Sequence, residues 1–479
     1  MLKSHLKNIL IGLVAFGALA KFYDISAPWK RKDHYNYGGS HTQQMVNCMR
    51  QVPFAESRGV PLYECEPGNF HYYTNHPPTI IFLVDAFTKV FGELKEWNLR
   101  LFSILFSLLN LWLVFSLAKR YRPEDDLFAW FAAAIYSLYF FGMYYGSHLD
   151  FISEFALTPI LVSSLFMLKG NANAAGFFSL IAGVFSWPGF LNFAALGAYA
   201  LLTKKNRIVI IVWGVLAFTA ALAMMMWLQN SYDLVDFLRR KLVNQGYLNE
   251  TEQVWYYPIL WLGKFIQYQS KNFGPALALI LVFELFFKFL KRDWSVYSRN
   301  YFLLIAGGGL AYVILGRNMF YVHSFLYIYL MPAAAILSAD FLLRVKNRTL
   351  QITVNKNQKI LLWFATLILV ALYPYGALKT NAILDGATSI VLLITAIFAT
   401  KWFIGNQLNI KKGLLLLALT GLANTSQMIN VRNEAPTDFE FCKKAREEFS
   451  KTGQPVKAPP ETSNHYVRRL YCKGIPIID

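Results

Sequence analysis

Residues 101–117 read LFSILFSLLNLWLVFSL, seventeen positions without a charge, with Arg100 immediately before them and Lys119, Arg120 and Arg122 just after. As a helix, that run rises about 26 Å at 1.5 Å per residue. The hydrocarbon core of a bilayer is about 30 Å thick. The segment therefore predicts a transmembrane helix with cationic anchors at both ends.

The same pattern recurs along the chain. Further apolar runs occupy 9–23, 127–145, 151–168, 177–187, 189–202, 208–228, 275–289, 301–315, 321–343, 360–373, 389–403 and 413–423. Of the 479 residues, 56% are hydrophobic and only 15% charged, too few charges to cover a soluble surface of this size. The expected class is an all-α polytopic membrane protein of about 13 transmembrane helices. The net charge of +18 needs no nucleic acid. Lys119, Arg120, Arg122, Lys169, Lys204, Lys205, Arg207, Lys291, Arg292, Arg299, Arg344, Lys346, Arg348, Lys356, Lys359, Lys401, Lys411 and Lys412 fall in loops that alternate to one side. The positive-inside rule makes that side the inner one. Lys3 and Lys7 precede the first run, and Lys21 and Asp24 follow it without a small-residue cleavage site. That end reads as an uncleaved signal anchor.

On this topology three stretches lie outside: a long first loop, 24–100, a middle loop, 229–274, and a C-terminal tail, 430–479, appended to a membrane domain of 1–429. All four cysteines, Cys48, Cys65, Cys442 and Cys472, fall in the outer segments. The simplest pairing is Cys48–Cys65 in the loop and Cys442–Cys472 in the tail, among three connectivities, and it suits an oxidising compartment.

The first loop concentrates chemistry. Asp33-His34 comes early, and a Ser/Thr/Gln-rich stretch, 38–50, is a candidate short helix. His76-Pro77-Pro78-Thr79 then introduces an amphipathic stretch, 80–90, followed by Phe91-Gly92 and Arg100-Leu101. The double proline stops any helix before it and pre-sets the start of the next, holding His76 at a fixed entry. Asp150 and Glu154 stand where the fourth span begins, and carboxylates so close to the apolar region mark function or a paired contact.

These features, in this order, resemble the GT-C superfamily of polyprenyl-phosphate-sugar-dependent glycosyltransferases, which includes the protein O-mannosyltransferases and the aminoarabinose transferase of lipid A. The resemblance rests on Asp33, His76-Pro77-Pro78, Phe91-Gly92 and Arg100-Leu101, with Asp150 or Glu154 at the family's second acidic position. It covers residues 1–205 by motif and the remainder by architecture. It implies an inverting transfer of a monosaccharide from a polyprenyl-phosphate donor to a lipid or cell-envelope glycan on the outer side of the membrane, in a bacterium the periplasmic side of the inner membrane.

In this reading Asp33 is the base, with Asp24 as the alternative, and Asp150 and Glu154 are the further acidic groups. His76, Arg100, Arg317 and His323 are candidates for the donor phosphate, and His34, Tyr72 and Tyr73 for sugar or acceptor. The residues also have bland readings: Asp33 as a partner of Lys30–Lys32, Arg100 as a partner of Glu96, and the tyrosines as an interfacial aromatic belt. The lysine that precedes Pro-Pro in the aminoarabinose branch is His76 here, and the tail has no Trp-Trp-Asp. A divalent cation is compatible with the chemistry, but no His/Asp/Glu cluster has metal-ligand spacing, so no metal ligands are assigned. The rival class, a lipid or sugar-lipid flippase, predicts breaks in matching halves. Trp187-Pro188-Gly189 is a break without a clear partner.

Overall fold

The computed structural model describes residues 2–29, 34–66, 69–74, 76–146, 154–229, 263, 274–290, 295–315, 324–346, 356–372, 384–405, 409–432, 437–459, 468 and 470–478. Nearly all of the described chain is helical. Among the described residues, four helices are long and apolar enough to cross a membrane: those containing Glu96–Tyr121, Arg207–Leu228, Val296–Leu315 and Tyr327–Arg344. Shorter apolar helices cover Ser4–Ala20, Asp126–Leu138, Phe155–Leu168, Ala172–Phe185 and Leu393–Ile404. The middle loop, 229–274, lies almost wholly outside the described residues.

Helix α1 (Leu2–Ala20) leads into the first loop, which contains α2 (His34–Gln51), α3 (Phe54–Ser57), an antiparallel hairpin of β1 (Leu62–Glu66) and β2 (Asn69–Tyr72), and α4 (Thr79–Val90). The stretch 38–50 is thus helical as expected. The hairpin is a departure from the all-α reading. It is short, and its strand β1 packs on α2 through Leu62 and the Cys48–Cys65 bond.

Helix α5 (Glu96–Tyr121) carries the opening quoted above. Its first turn is fastened by Asn98, whose Oδ1 accepts from the Lys95 backbone N–H at 3.2 Å. Its last turn holds Lys119 and Arg120, which suit the negative pole of the helix. Helix α6 (Asp126–Leu138) is the hub: α1, α5 and a later span all lie on it. Its small residues make that crowding feasible, with Ala129, Ala132, Ala133 and Ala134 all buried. Gly17 of α1 is part of the same contact, since a Cβ there would sit 2.4 Å from the Ser137 carbonyl oxygen.

The run 127–145 is not one helix. It stops at Tyr139, which is extended, and resumes as α7 (Phe140–Tyr145). A break inside an apolar environment strands backbone carbonyls that nothing in lipid can satisfy. The Leu138 carbonyl accepts from Asn424 Nδ2 at 2.9 Å, a side chain nearly 290 residues downstream.

Helices α8 (Glu154–Leu168) and α9 (Ala172–Phe185) pack along each other, and the expected break follows at Ser186. A single turn, α10 (Trp187–Phe190), separates α9 from α11 (Asn192–Thr203). Pro188 sits at its start, and Gly189 presses on Ala182, where a Cβ would lie 2.1 Å from backbone. Asn192 donates to Ser179 Oγ at 3.0 Å and Ser163 Oγ at 3.3 Å, tying α11 to α9 and α8 by polar contacts suited to a membrane interior.

Helix α12 (Arg207–Gln229) is only 11% buried over its apolar window. Ile208, Ile211, Val212, Val215, Leu216 and Phe218 form an exposed stripe at helical spacing, a lipid-facing surface rather than a soluble one. At the other extreme, Tyr327–Arg344 is 89% buried. It begins as a 3-10 turn (Ser324–Leu330) and continues as α15 (Met331–Lys346), after α13 (Pro275–Leu290) and α14 (Val296–Leu315). The helices α16 (Lys356–Leu372), α17 (Leu384–Ile404) and α18 (Ile410–Arg432) follow. The tail contributes α19 (Thr437–Thr452) and a two-stranded parallel pair, β3 (Val456–Lys457) with β4 (Ile477–Ile478), pinned by Cys442–Cys472.

Asn424→Leu removes the donor that satisfies the Leu138 carbonyl. The expected cost is about 1–3 kcal/mol, read as a lower melting temperature of the purified protein in detergent; an unchanged midpoint would show that the break at Tyr139 is satisfied otherwise.

Candidate active site

The first loop is held to the membrane domain by a buried polar knot. Arg100, at the start of α5, is 3% exposed. Its Nη1 donates to the backbone carbonyls of Ile25, at 2.8 Å, and Ala27, in the segment that leaves α1. The guanidinium lies over the Trp29 ring, 4.4 Å from its centroid, a contact of about 0.5–2 kcal/mol. Trp29 is itself fully buried, and its indole N–H donates to Gln43 of α2.

The tail joins the same knot. Tyr471 Oη accepts the Trp29 backbone N–H at 3.1 Å and donates to the Glu96 carboxylate. Burial first, then the charge of Glu96 and the hydrogen bond to it, hold the Tyr471 phenol well above its ordinary range. It therefore stays protonated and keeps its role as donor. Phe439 of α19 packs edge-on against Tyr471 with centroids 4.8 Å apart, and Arg446 donates to the Tyr471 carbonyl at 2.9 Å.

Two further contacts set α4 in place. Arg50 of α2 reaches Asp85 at 2.7 Å and Thr88 Oγ1 at 2.8 Å, and Lys89 closes on the other Asp85 oxygen at 2.7 Å. Pro77 and Pro78 are buried at the helix entry, and α4 begins at Thr79. His76 is half-buried and stacks on Tyr73, centroids 5.9 Å apart at 25°. Tyr73 meets the buried His41 of α2 edge-on at 4.9 Å, and His41 in turn lies 5.9 Å from Tyr63. The Pro-Pro corner thus presents a ladder of two imidazoles and two phenol rings.

Lys21 lies one residue beyond α1 and is 2% exposed. Its ammonium donates to Ser107 Oγ of α5 at 2.6 Å and to the Gly142 carbonyl of α7. A Cβ on Gly146 would come within 2.6 Å of that nitrogen. Gly146 stands four residues before Asp150.

Of the expected site residues, Arg100 is held by its Nη1 on the Ile25 and Ala27 carbonyls and by its face on Trp29, while its Nε is buried without a hydrogen-bond partner. Tyr73 and His76 come together. Tyr72 faces away, its ring under the Arg58 guanidinium at 4.9 Å and its hydroxyl on the Glu56 carbonyl, as alternation along a strand requires. Asp33, Asp150, Arg317 and His323 lie outside the described residues, as do the side chains of His34 and Glu154. Asp24, the alternative base, stands at a positive φ of 56°, its carbonyl 3.5 Å from Arg100 Nη1. Sequence reading missed His41, Trp29 and Tyr471. In the sequence Lys21 is a charge beside the first span, and a lysine directly after an apolar run is the kind of costly placement that asks for a partner. Among the described residues no group of three or more His, Cys, Asp and Glu is arranged to hold a metal.

The family model for dolichyl-phosphate-mannose-protein mannosyltransferases matches residues 75–232, from the Pro-Pro corner through α12. No curated protein matches the chain by sequence. Among solved structures, ArnT from Cupriavidus metallidurans bound to undecaprenyl phosphate superposes with a TM-score of 0.59 at 15% identity, over 98% of this chain and 85% of that one. Its apo state gives 0.55 at 14%, with the same coverage.

The fold is that of the GT-C superfamily. The oligosaccharyltransferase of Archaeoglobus fulgidus in complex with Zn and sulfate is more distant, with a TM-score of 0.50 at 12% identity, and this chain spans 62% of its length. The GT-C relation covers almost the whole chain by fold, whereas the motif resemblance covers its first 205 residues. The chain is accordingly an integral membrane protein.

Tyr471→Phe leaves the buried Trp29 N–H without its acceptor and Glu96 without its donor. The expected loss is about 1–3 kcal/mol in tail docking, visible as faster limited proteolysis after Arg468; a tail as resistant as in the unaltered protein would argue against this knot.

Proposed function

We propose that this protein is an inverting glycosyltransferase that moves a monosaccharide from a polyprenyl-phosphate donor to a lipid or cell-envelope glycan. The first-loop face is the catalytic face, on the periplasmic side of a bacterial inner membrane. The working division is a membrane domain, 1–429, and a tail, 430–479, with the loops 24–100 and 229–274 on that face. The reading is carried by one observation. In a fold similar to that of ArnT, His76 stacks on Tyr73 at the Pro-Pro corner, and the ammonium of Lys21 is buried beside Gly146, which stands four residues before Asp150 in the chain. The undecaprenyl phosphate in the similar ArnT structure supports a polyprenyl-phosphate donor.

In the proposed reaction Asp33 takes the proton of an acceptor hydroxyl as that oxygen attacks the anomeric carbon. The bond from that carbon to the phosphate oxygen breaks, and polyprenyl phosphate leaves with the electron pair. Asp150 or Glu154 orients the acceptor. His76, with Arg317 and His323, meets the phosphate, and His34 and Tyr73 are the groups near sugar or acceptor, whereas Tyr72 is turned to Arg58 and Glu56. Arg100 serves this chemistry through position, with its Nη1 on the Ile25 and Ala27 carbonyls and its face on Trp29. Lys21 supplies a buried cation between α1, α5 and α7, where the Pro-Pro corner itself carries His76 rather than the lysine of the aminoarabinose branch. Fixed positive charge in a low-dielectric site stabilises the departing phosphate.

Purified protein supplied with labelled polyprenyl-phosphate sugars and an envelope extract is expected to transfer label. Asp33→Asn is expected to abolish that transfer, and full activity in this variant would sink the base assignment. Movement of the lipid-linked sugar across vesicles without transfer would favour the flippase class.

Lys21→Met, tested in the same assay, is expected to lower kcat about 100-fold, with Lys21→Arg retaining most of it. Equal rates in all three proteins would remove Lys21 from the mechanism.

A further inference from the structure

The first loop and the tail enclose a groove of about 560 Å³, inside the ~300–1,000 Å³ range of ligand clefts. It is distinct from the Pro-Pro corner: none of His41, Tyr73 and His76 lines it. One wall is a stripe of α2, where Gln44, Asn47 and Gln51 follow one another at helical spacing and put three carboxamides on a single face. The facing wall is the tail, and its apolar patch comes from Leu470, Ile475 and Ile477.

Both walls are fixed before any ligand arrives. Cys65 and Cys472, one from each disulfide, line the groove. The residue next to Cys472 is Tyr471, which is bonded to Trp29 and Glu96. A cleft held by two covalent staples and a buried hydroxyl spends little on ordering itself when it binds.

The lining selects a chemistry. A carboxamide offers a donor pair and an acceptor on one plane, a match for neighbouring hydroxyls. An apolar patch takes the C–H face of a sugar ring. Glu64 and Glu66 of β1 are balanced by Arg468 and Lys473 of the tail, so the groove has no net attraction for a polyanion. We infer that this groove binds a neutral glycan chain, held between the carboxamide stripe of α2 and the apolar patch of the tail, as the acceptor arm of the enzyme. The acceptor role rests on the transferase reading above; the binding of a glycan does not.

The test uses the full chain in lipid nanodiscs, titrated with short neutral oligosaccharides of glucose, mannose, galactose and N-acetylglucosamine and followed by calorimetry. At least one is expected to bind with an affinity that salt leaves unchanged. Gln51→Trp, which fills the groove from its exposed rim, is expected to weaken that binding about tenfold or more. Gln44→Ala, a smaller change, is expected to act in the same direction. No binding by any of them, or binding that both variants leave intact, overturns the inference. So does preferential binding of an unstructured peptide or of anionic lipid vesicles. Intact glycan binding in a protein that transfers no sugar would count against the enzyme reading alone. Intact transfer to envelope glycan without glycan binding in the groove would count against the groove alone.

Discussion

The Arg100 guanidinium is the constraint on which the placement of the first loop and the tail depends. It is buried at the entrance of α5, donates to the carbonyls of Ile25 and Ala27, and lies on Trp29. Removing such a group from water is expensive, and the Nη1 bonds to fixed carbonyls together with the Trp29 face offset part of that cost. Lysine could not reproduce the arrangement, because its compact ammonium has neither the planar fork nor the stacking face. The consequence is mechanical. The exit of α1, the start of α5, the α2 helix through Gln43 and the tail through Tyr471 all meet at one point. Whatever the segment 30–33 does, it starts from the fixed indole of Trp29.

A second charged knot lies at the far end of α5, about 33 Å from Arg100 by helix rise. There Arg122 pairs with Asp340, Lys288 lies 3.3 Å from Glu284 and 3.2 Å from Asp340, and Arg344 reaches Glu284. These five groups come from α13, α15 and the turn after α5, and Glu284, Lys288 and Asp340 are essentially inaccessible. Charges in such a setting persist only as a satisfied network. The bundle is thus pinned at both ends of its longest span, with polar side chains such as Asn192 and Asn424 repairing the breaks between.

Much of this was legible in the sequence because lipid imposes a simple rule. Uncharged runs such as 101–117 leave few alternatives, and the Pro-containing break after α9 falls where Trp187-Pro188-Gly189 announces it. The two disulfides follow from four cysteines divided between two segments. The break at Tyr139 was not legible, because no proline stands there and the group that satisfies it, Asn424, is far away in the chain. The same reason hid Tyr471 and Lys21: each acts through a partner on a distant element, Glu96 in one case and Ser107 in the other. Arg100 was visible as important but not as what it is, since a guanidinium that meets phosphate and one that meets carbonyls look alike in a sequence. The motif order that suggested the GT-C fold needed no such partners, and the fold agrees with it over nearly the whole chain.

The claim most exposed to test is that one buried guanidinium holds loop and tail together. Hydrogen–deuterium exchange on purified Arg100→Lys in detergent measures it directly. The account predicts a joint loss of protection at residues 25–29, along α2 and at 470–472, with α12 unchanged. Loss confined to the first turn of α5, with the tail as protected as before, would contradict it.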